Sequence, residues 1–578
     1  MSKILGIDLG TTNSAIAVVQ NGVPQLLDHA GQTLLPSVVG YTEQGRWLVG
    51  TPARNQFGIA PENTIRSVKR KMGSNELIHI GNETLSPSEI SAFILRELKR
   101  IAELSLGEEA TDVVITVPAY FSDAQRQATQ DAGRIAGFNV RRIINEPTAA
   151  ALAYGLNLLE DQIVLVYDLG GGTFDVSVVE LMGGVVEVLA SHGDTQLGGD
   201  DFDLLLADLL AQRFEEAHAI DVRDDVRAWA RLLDAAEQAK IKLSSQTYVT
   251  VKEEYLITQN GVPYHLETEI NRREFQEITD DLLQKTLESV NRVLSDADVG
   301  RDEIDHVLLV GGSTRMPAVR TLITDELEMQ PHDTINPDEA VALGAATQAA
   351  IIAGEPIDAI LVDVTPFSLG IAVVAELFGR ELDDRFKVLI PRNTAIPVSR
   401  EELFYAVHSE QTEIRIEVYQ GEEPIASANT PLGDFLIGGL QPASVTGDLP
   451  EITVRFDFDV NGMLTVTALD RIAGNAADMT IDAPVAQLDD RSLLDAQARV
   501  AEMGDVEDES IAFSAEMTSL INRAHAFIGS ETLEADELNT LTTILQEIDA
   551  AQATGNTEQL DELQERLLDV LFDLDMEA

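Results

Sequence analysis

Two stretches far apart in the chain join an aspartate to a turn of glycine and threonine: Asp8-Leu9-Gly10-Thr11-Thr12-Asn13 and Asp168-Leu169-Gly170-Gly171-Gly172-Thr173-Phe174-Asp175. Glycine and threonine at a turn bring backbone N–H groups and hydroxyls close to an anion, which makes a phosphate-binding concavity. Asp8, Asp168 and Asp175 add fixed negative charge where a hard cation such as Mg²⁺ would sit among oxygens. Each turn follows an apolar run (Ile4 to Ile7, Val164 to Tyr167) and precedes a second strand-like run (Ser14 to Val19, Val176 to Glu180). Strand–turn–strand units must therefore carry both. Either unit alone could be an ordinary glycine-turn hairpin. The matched pair predicts two loops gripping a nucleotide's phosphates from both sides, hence a two-lobed ATPase. A Walker-type G-x-x-x-x-G-K-[ST] loop is absent, so phosphate is not held by that solution.

Length and composition bound the rest. At 578 residues the chain exceeds one core, and roughly three to five domains are expected. Hydrophobic residues make up 44%, yet no run approaches the ~18 apolar residues of a membrane helix. Met1-Ser2-Lys3 leads straight into a strand without the order of a signal peptide, so a cytoplasmic setting is expected. Cysteine is absent, which excludes disulfides, thiol catalysis and Cys-ligated zinc. The nine histidines show no H-E-x-x-H spacing. With 98 acidic residues against 40 basic ones, the net charge of −58 argues against a nucleic-acid backbone or an anionic membrane as partner. It leaves a solvated acidic surface, or long-range steering of basic peptides.

Residues 1–354 alternate strand-like and helix-like segments, the pattern of an α/β domain. Asp112 to Pro118 reads as a buried strand. Ser122 then caps a helix with Ala124, Ala128, Ala132 and Ile135 on one face. Arg141 to Asn145 is a short strand, and Pro147 marks a helix start. Ile304 to Val310 is a further strand ending in Gly311-Gly312-Ser313-Thr314-Arg315, and small residues dominate the helix from Ala340 to Ala350. Residues 355–364 include Ile360-Leu361-Val362-Asp363, too apolar for a passive linker, which predicts docking or an edge strand.

From 365 to 483 the period becomes that of strands, with Phe404 to His408 and Glu413 to Tyr419 alternating. Phe456, Phe458 and Val460 share a face, Asn461-Gly462 turns, and Leu464 with Val466 returns. Asp457-x-Asp459-x-Asn461-Gly462 imitates the opening of an EF-hand, but Ala468 stands where the ligating Glu belongs, so calcium is rejected. Over 484–578, helical patterns take over: Leu493, Leu494, Ala498 and Ala501, then Met517 to Ile528, Leu538 to Ile548 and Leu560 to Leu571.

The two Asp-Leu-Gly turns, Val117-Pro118-Ala119-Tyr120-Phe121, Ile144-Asn145-Glu146-Pro147-Thr148-Ala149-Ala150, Gly311-Gly312-Ser313-Thr314-Arg315-Met316-Pro317, Asn336-Pro337-Asp338-Glu339-Ala340 and Thr365-Pro366-Phe367-Ser368-Leu369-Gly370 together resemble the DnaK-type heat shock protein 70 chaperones. A shortened stretch between Lys69 and Pro118 makes the chain most similar to the HscC-like branch. The resemblance implies an actin-like (ribonuclease H-like) two-lobed ATPase domain over 1–354 and an apolar interdomain linker over 355–364. A β-sandwich that binds extended peptide over 365–483 and a helical lid over 484–578 would complete it. The implied activity is slow ATP hydrolysis that controls capture and release of unfolded segments.

Carried over residue by residue, the likeness implies ATP/ADP and Mg²⁺, with K⁺ a candidate second cation. Asp8, Gly10, Thr11, Thr12 and Asn13 would form the first phosphate loop, and Gly170, Gly171, Gly172 and Thr173 the second. Asp8, Asp168 and Asp175 would hold Mg²⁺ largely through its waters. Lys69 would contact the γ-phosphate and the attacking water, Glu146 would orient that water, and Thr173 would lie beside the γ-phosphate. Glu237, Lys240 and Ser244 would contact adenosine, with Arg315 stacked on the base and Gly311, Gly312, Ser313 and Asp338 around it. Ile241 replaces an arginine the family uses there. Read without the family, Lys69 is a surface lysine and the Glu237 face is a solvated one.

The peptide channel would take Ile371, Phe404, Gln411, Ile414 and Ile416, with Val374 and Val407 arching over the peptide. Alone, these read as sandwich core. Arg142, Asn145, Leu361, Val362 and Asp363 match positions of interdomain and J-domain cochaperone contact. Unfolded clients and a J-domain cochaperone are thus implied, while the shortened segment argues against a GrpE-type exchange factor. A small-molecule kinase or a filament former could share the scaffold, since fold does not fix function, but neither needs the blocks after Ile360.

Overall fold

Buried apolar runs set the strands. The computed structural model places Ile4–Asp8 between Asn13–Gln20, antiparallel with Gly6 opposite Ala17, and Asp112–Val117, parallel with Gly6 opposite Val114. Asn139–Asn145 and Val23–Leu26 extend this sheet at its two ends. The second lobe repeats the plan. Gln162–Leu169 pairs antiparallel with Phe174–Met182 and parallel with His306–Val310, and Val185–Asp194 continues the sheet. Described are residues 3–28, 31–155, 161–332, 336–357, 359–377, 380–440, 449–471, 474, 476–481 and 490–502, with helical positions 520–521, 523–524, 528, 540–545, 547–548, 563–564, 566–568 and 570–571.

The strand after each aspartate turn is buried along nearly its whole length rather than alternating in and out, because helices cover both faces of these mixed sheets. Ser122 caps the helix Asp123–Ile135 as expected, and Gln125 completes a full capping box. The helix Ala340–Ala353 lies so close to its neighbour Glu146–Gly155 that a Cβ on Gly344 would stand 1.8 Å from the Ala149 carbonyl oxygen. Its small residues are what permit the approach.

The apolar stretch after Gly354 docks. Ile360–Val364 adds a parallel strand to the second lobe's sheet, with Leu361 opposite Val186 and Val362 opposite Glu187. On its other side Asp363 pairs with Ile396 of Ala395–Ile396. Two four-stranded antiparallel sheets follow, one of Leu369–Leu377, Arg380–Ile390, Glu413–Gln420 and Thr430–Gly438, the other of Val398–Tyr405, Glu451–Phe458, Leu464–Asp470 and Ala476–Ile481. Leu369, Val418, Ile437, Phe456, Leu464 and Val466 form their shared core.

Three expectations shift here. The strand expected at Phe404 to His408 runs earlier, over Val398–Tyr405. Val460 is 42% exposed, because the turn already begins at Asp459, whose Oδ1 accepts the N–H groups of Asn461 and Met463. The helix Asp490–Glu502 buries Leu493, Ala496 and Val500 rather than Leu494, Ala498 and Ala501, since that stripe faces Pro87–Leu106 and Asp123–Ile135.

Residues 1–45 and 49–504 make one compact unit, and 46–48 with 505–578 another. In the second, helical positions gather Leu520, Ala524, Leu541, Ile544, Leu563 and Leu567 into an apolar cluster. Most of the three expected helices between 517 and 571 lies outside the described residues. Among the described residues no helix is long and apolar enough to cross a membrane.

Candidate active site

Both aspartate turns open into one cavity of about 330 Å³ between the lobes. The turns interlock: a Cβ on Gly171 would stand 1.7 Å from Thr12 Oγ1, so only glycine lets the loops meet. Gly10, Thr11, Thr12 and Asn13 line the cavity from the first lobe, and Gly170, Gly171 and Thr173 from the second. Gly172 and Asp175 do not line it. The Gly172 carbonyl faces Arg70, and Asp175, 2% exposed, accepts the Tyr120 N–H at 3.0 Å.

Lys69 and Glu146 meet in the cavity wall as a buried ion pair, 4% and 6% exposed. The one-turn helix Val68–Lys71 presents the lysine, and the start of Glu146–Gly155 presents the carboxylate. The surface-lysine reading of Lys69 therefore fails. Helix Val226–Ser245 likewise turns Glu237, Lys240 and Ser244 into the cavity rather than to solvent. Lys240 Nζ donates to the Gly199 carbonyl at 3.1 Å and to Asp203 Oδ2 at 2.7 Å. Glu237 accepts from Arg54 at 3.1 Å and Arg66 at 2.8 Å, both from the opposite lobe. Opposite the helix, Gly311, Gly312 and Ser313 line the wall, and Arg315 is held by Asp338 at 2.6 Å. Ile241 stands half-exposed at the rim.

Negative charge dominates the floor. Burial, then the charge of Glu146, pushes the Asp8 carboxyl up to about 7, although Thr116 Oγ1 donates to it at 3.2 Å. Burial and the same neighbour raise Asp175 to about 7 and lift Asp168 well above the carboxylate range. Such crowding fits a site built for a compensating cation. Among the described residues no three acidic or histidine groups converge closely enough to ligate an ion directly. When bound, the ion neutralises phosphate charge.

The linker residues meet behind the cavity. Asp363, 5% exposed, accepts from Thr148 Oγ1 at 3.2 Å and from the Val364 N–H at 2.9 Å, and burial raises its carboxyl. Asn145 Oδ1 accepts from Arg126 at 2.7 Å. Arg142 keeps a buried Nε without a hydrogen-bond partner among the described residues. Leu361 and Val362 are half-buried along the docked strand. Arg126 was not singled out by the sequence. It also donates to the carbonyls of Ala119 and Phe121, and nothing in the local sequence sets it apart from Arg134 on the same helix.

In the sandwich, Ile371 and Ile416 are core residues, Phe404 and Ile414 pack on that core, and Val374 and Val407 are each 43% exposed. Gln411 bridges the Val407 N–H and the Glu413 carbonyl, both at 3.1 Å.

Fold and site together define a class: a two-lobed nucleotide hydrolase whose second sheet continues into a β-sandwich. The family model for Hsp70 protein matches residues 4–77 and 75–575. The chaperone protein DnaK of Halobacterium salinarum strain R1 is 47% identical over 509 residues, 88% of this chain and 79% of the relative. DnaK of strain NRC-1 matches with the same figures. The chain belongs to the Hsp70 family and is an ATP-dependent molecular chaperone that hydrolyses ATP. Members of this family bind ATP or ADP with Mg²⁺ and work in general with unfolded polypeptides and J-domain cochaperones. The small-molecule kinase alternative has no support.

Proposed function

We propose that ATP turnover in the cavity between the lobes governs a grip on extended apolar segments by the sandwich. The observation that carries this reading is the interlock of the two phosphate turns beside the buried Lys69–Glu146 pair. Asp8, Thr11, Thr12, Asn13, Gly170, Gly171 and Thr173 hold the phosphates. Asp8 and Asp168 hold hydrated Mg²⁺, with Asp175 opposite Asp168 on the neighbouring strand, and K⁺ joins as a second cation. Lys69 answers charge on the γ-phosphate while Glu146 orients the attacking water; phosphoryl transfer asks mainly for such positioning and charge. Adenosine lies against Glu237, Lys240, Ser244, Gly312 and Arg315.

The ATPase domain spans 1–354, the linker 355–364, the peptide sandwich 365–483 and the lid 484–578. Ile371, Val374, Phe404, Val407, Gln411, Ile414 and Ile416 receive the peptide, and a J-domain cochaperone acts through Arg142, Asn145 and Asp363. The short segment between Lys69 and Pro118 supports the HscC-like assignment and ADP release without a GrpE-type factor, and the absent cysteine suits a cytoplasmic setting. The test replaces Asp8 and Asp168 with Asn together. Single-turnover hydrolysis falls by about 100-fold or more. Turnover like the parent's overturns the site.

A further inference from the structure

The turn that carries Lys69 is fastened to the opposite lobe, and we propose that Arg70 positions Lys69 for hydrolysis by clasping that turn to the second phosphate loop. Arg70 Nε donates to the Gly172 carbonyl at 2.8 Å, and its two terminal nitrogens fork onto the carboxylate of Asp201. Asp201 is itself fixed, because it also accepts the Gly198 N–H at 2.7 Å in the first turn of helix Gly199–His218. Gln196 Nε2 donates to the Arg70 carbonyl at 3.3 Å, and Ser67 Oγ donates to Asp200 Oδ2 at 2.5 Å. Every one of these partners belongs to the second lobe, while Ser67 to Lys71 belong to the first.

The backbone is shaped for the clasp. Ser67 holds a left-handed φ of 53° although it is not glycine, and the one-turn helix Val68–Lys71 starts from it. Adjacent residues of this turn then point to different tasks. Lys69 enters the cavity wall, and Arg70 lies outside that lining and grips the loop from behind. Arg70 thus acts through Lys69 and Gly172 rather than on the nucleotide. A fork of this kind needs a planar guanidinium; a lysine supplies the charge without the geometry. If the clasp opens, the ammonium of Lys69 loses its registry with the second loop, and an error of about 1 Å at such a group costs on the order of 100-fold in rate.

The inference rests on the site reading above. The experiment measures single-turnover ATP hydrolysis and ADP affinity in the full chain for Arg70→Ala, Arg70→Lys, Asp201→Asn and the Arg70→Ala/Asp201→Asn pair. Arg70→Ala slows hydrolysis by about 10–100-fold with ADP affinity kept within about threefold, and Arg70→Lys recovers only part of the rate. Asp201→Asn slows it less, and the pair is no worse than Arg70→Ala alone, since both changes cut one link. Parental turnover in Arg70→Ala overturns the proposal, and so does an ADP affinity that falls in step with the rate. Should Arg70→Ala fail to fold, Asp201→Asn decides alone, and parental turnover in it overturns the clasp. The site reading falls separately, through active Asp8→Asn/Asp168→Asn protein.

Discussion

Lys69 and Arg66 both carry their charge to the seam between the two lobes. A lysine inside Lys69-Arg70-Lys71 looks solvated, yet its amine is buried against Glu146. An ion pair so removed from water repays its desolvation poorly as a stabilising device, which fits a functional role better. Arg66 reaches Asp234 across 168 residues of sequence and sits 4.8 Å over the Phe57 ring, a partnership that no periodic pattern encodes. Val374 belongs to the same scale. Exposed on Leu369–Leu377, it offers a short, stiff side chain where an unbranched thioether would be longer and softer. Val374→Met shifts affinities for individual peptides by about 2- to 10-fold on a peptide array, without loss of ATP turnover. Identical profiles would remove Val374 from the peptide site.

Among elements, the helix Asp123–Ile135 carries a titration that its capping box conceals. Asp123 is 4% exposed, its Oδ2 has no hydrogen-bond partner among the described residues, and burial pushes its carboxyl up to about 7, opposed by Arg126 and aided by Asp459. The unfolded chain releases that proton near pH 4 and the folded one near 7, so between these values the folded state binds more protons. Stability therefore falls as pH rises through that window and levels off above it. Asp123→Asn removes the slope: its loss of stability from pH 5 to pH 8 is smaller than the parent's by roughly 1–3 kcal/mol in denaturant titrations. Equal losses would refute the assignment.

The same helix marks how far the sequence could be read. Ser122 announced its start, and alanine spacing its core face, because capping and periodicity are local chemistry. Arg126 reaching Asn145 is a tertiary matter. The aspartate turns were legible because they recur as one pattern, and their strands because the apolar runs are continuous. The stripe of Asp490–Glu502 was misread by one or two positions, since which face is buried is set by the helices it meets.

At the scale of the molecule, charge outweighs any one contact. A net charge of −58 makes the compact state repel itself, and at about 1 M salt screening contracts that repulsion to roughly 3 Å. Raising KCl from about 0.02 M to 1 M lifts Tm by several degrees in a thermal scan, and a Tm that stays level or falls would show the acidity to be neutral for stability.

One joint in this body is slight. Three residue pairs, Val185 with Ile360 through Glu187 with Val362, zip the leading strand to the enzyme's sheet, and Thr148 to Asp363 and Arg392 to Asp296 add side-chain ties. At about 0.5–1.5 kcal/mol for each net hydrogen bond, every one of these ties is individually small. Each half keeps its own core, so what joins them is a seam of small, separable ties rather than one shared interior.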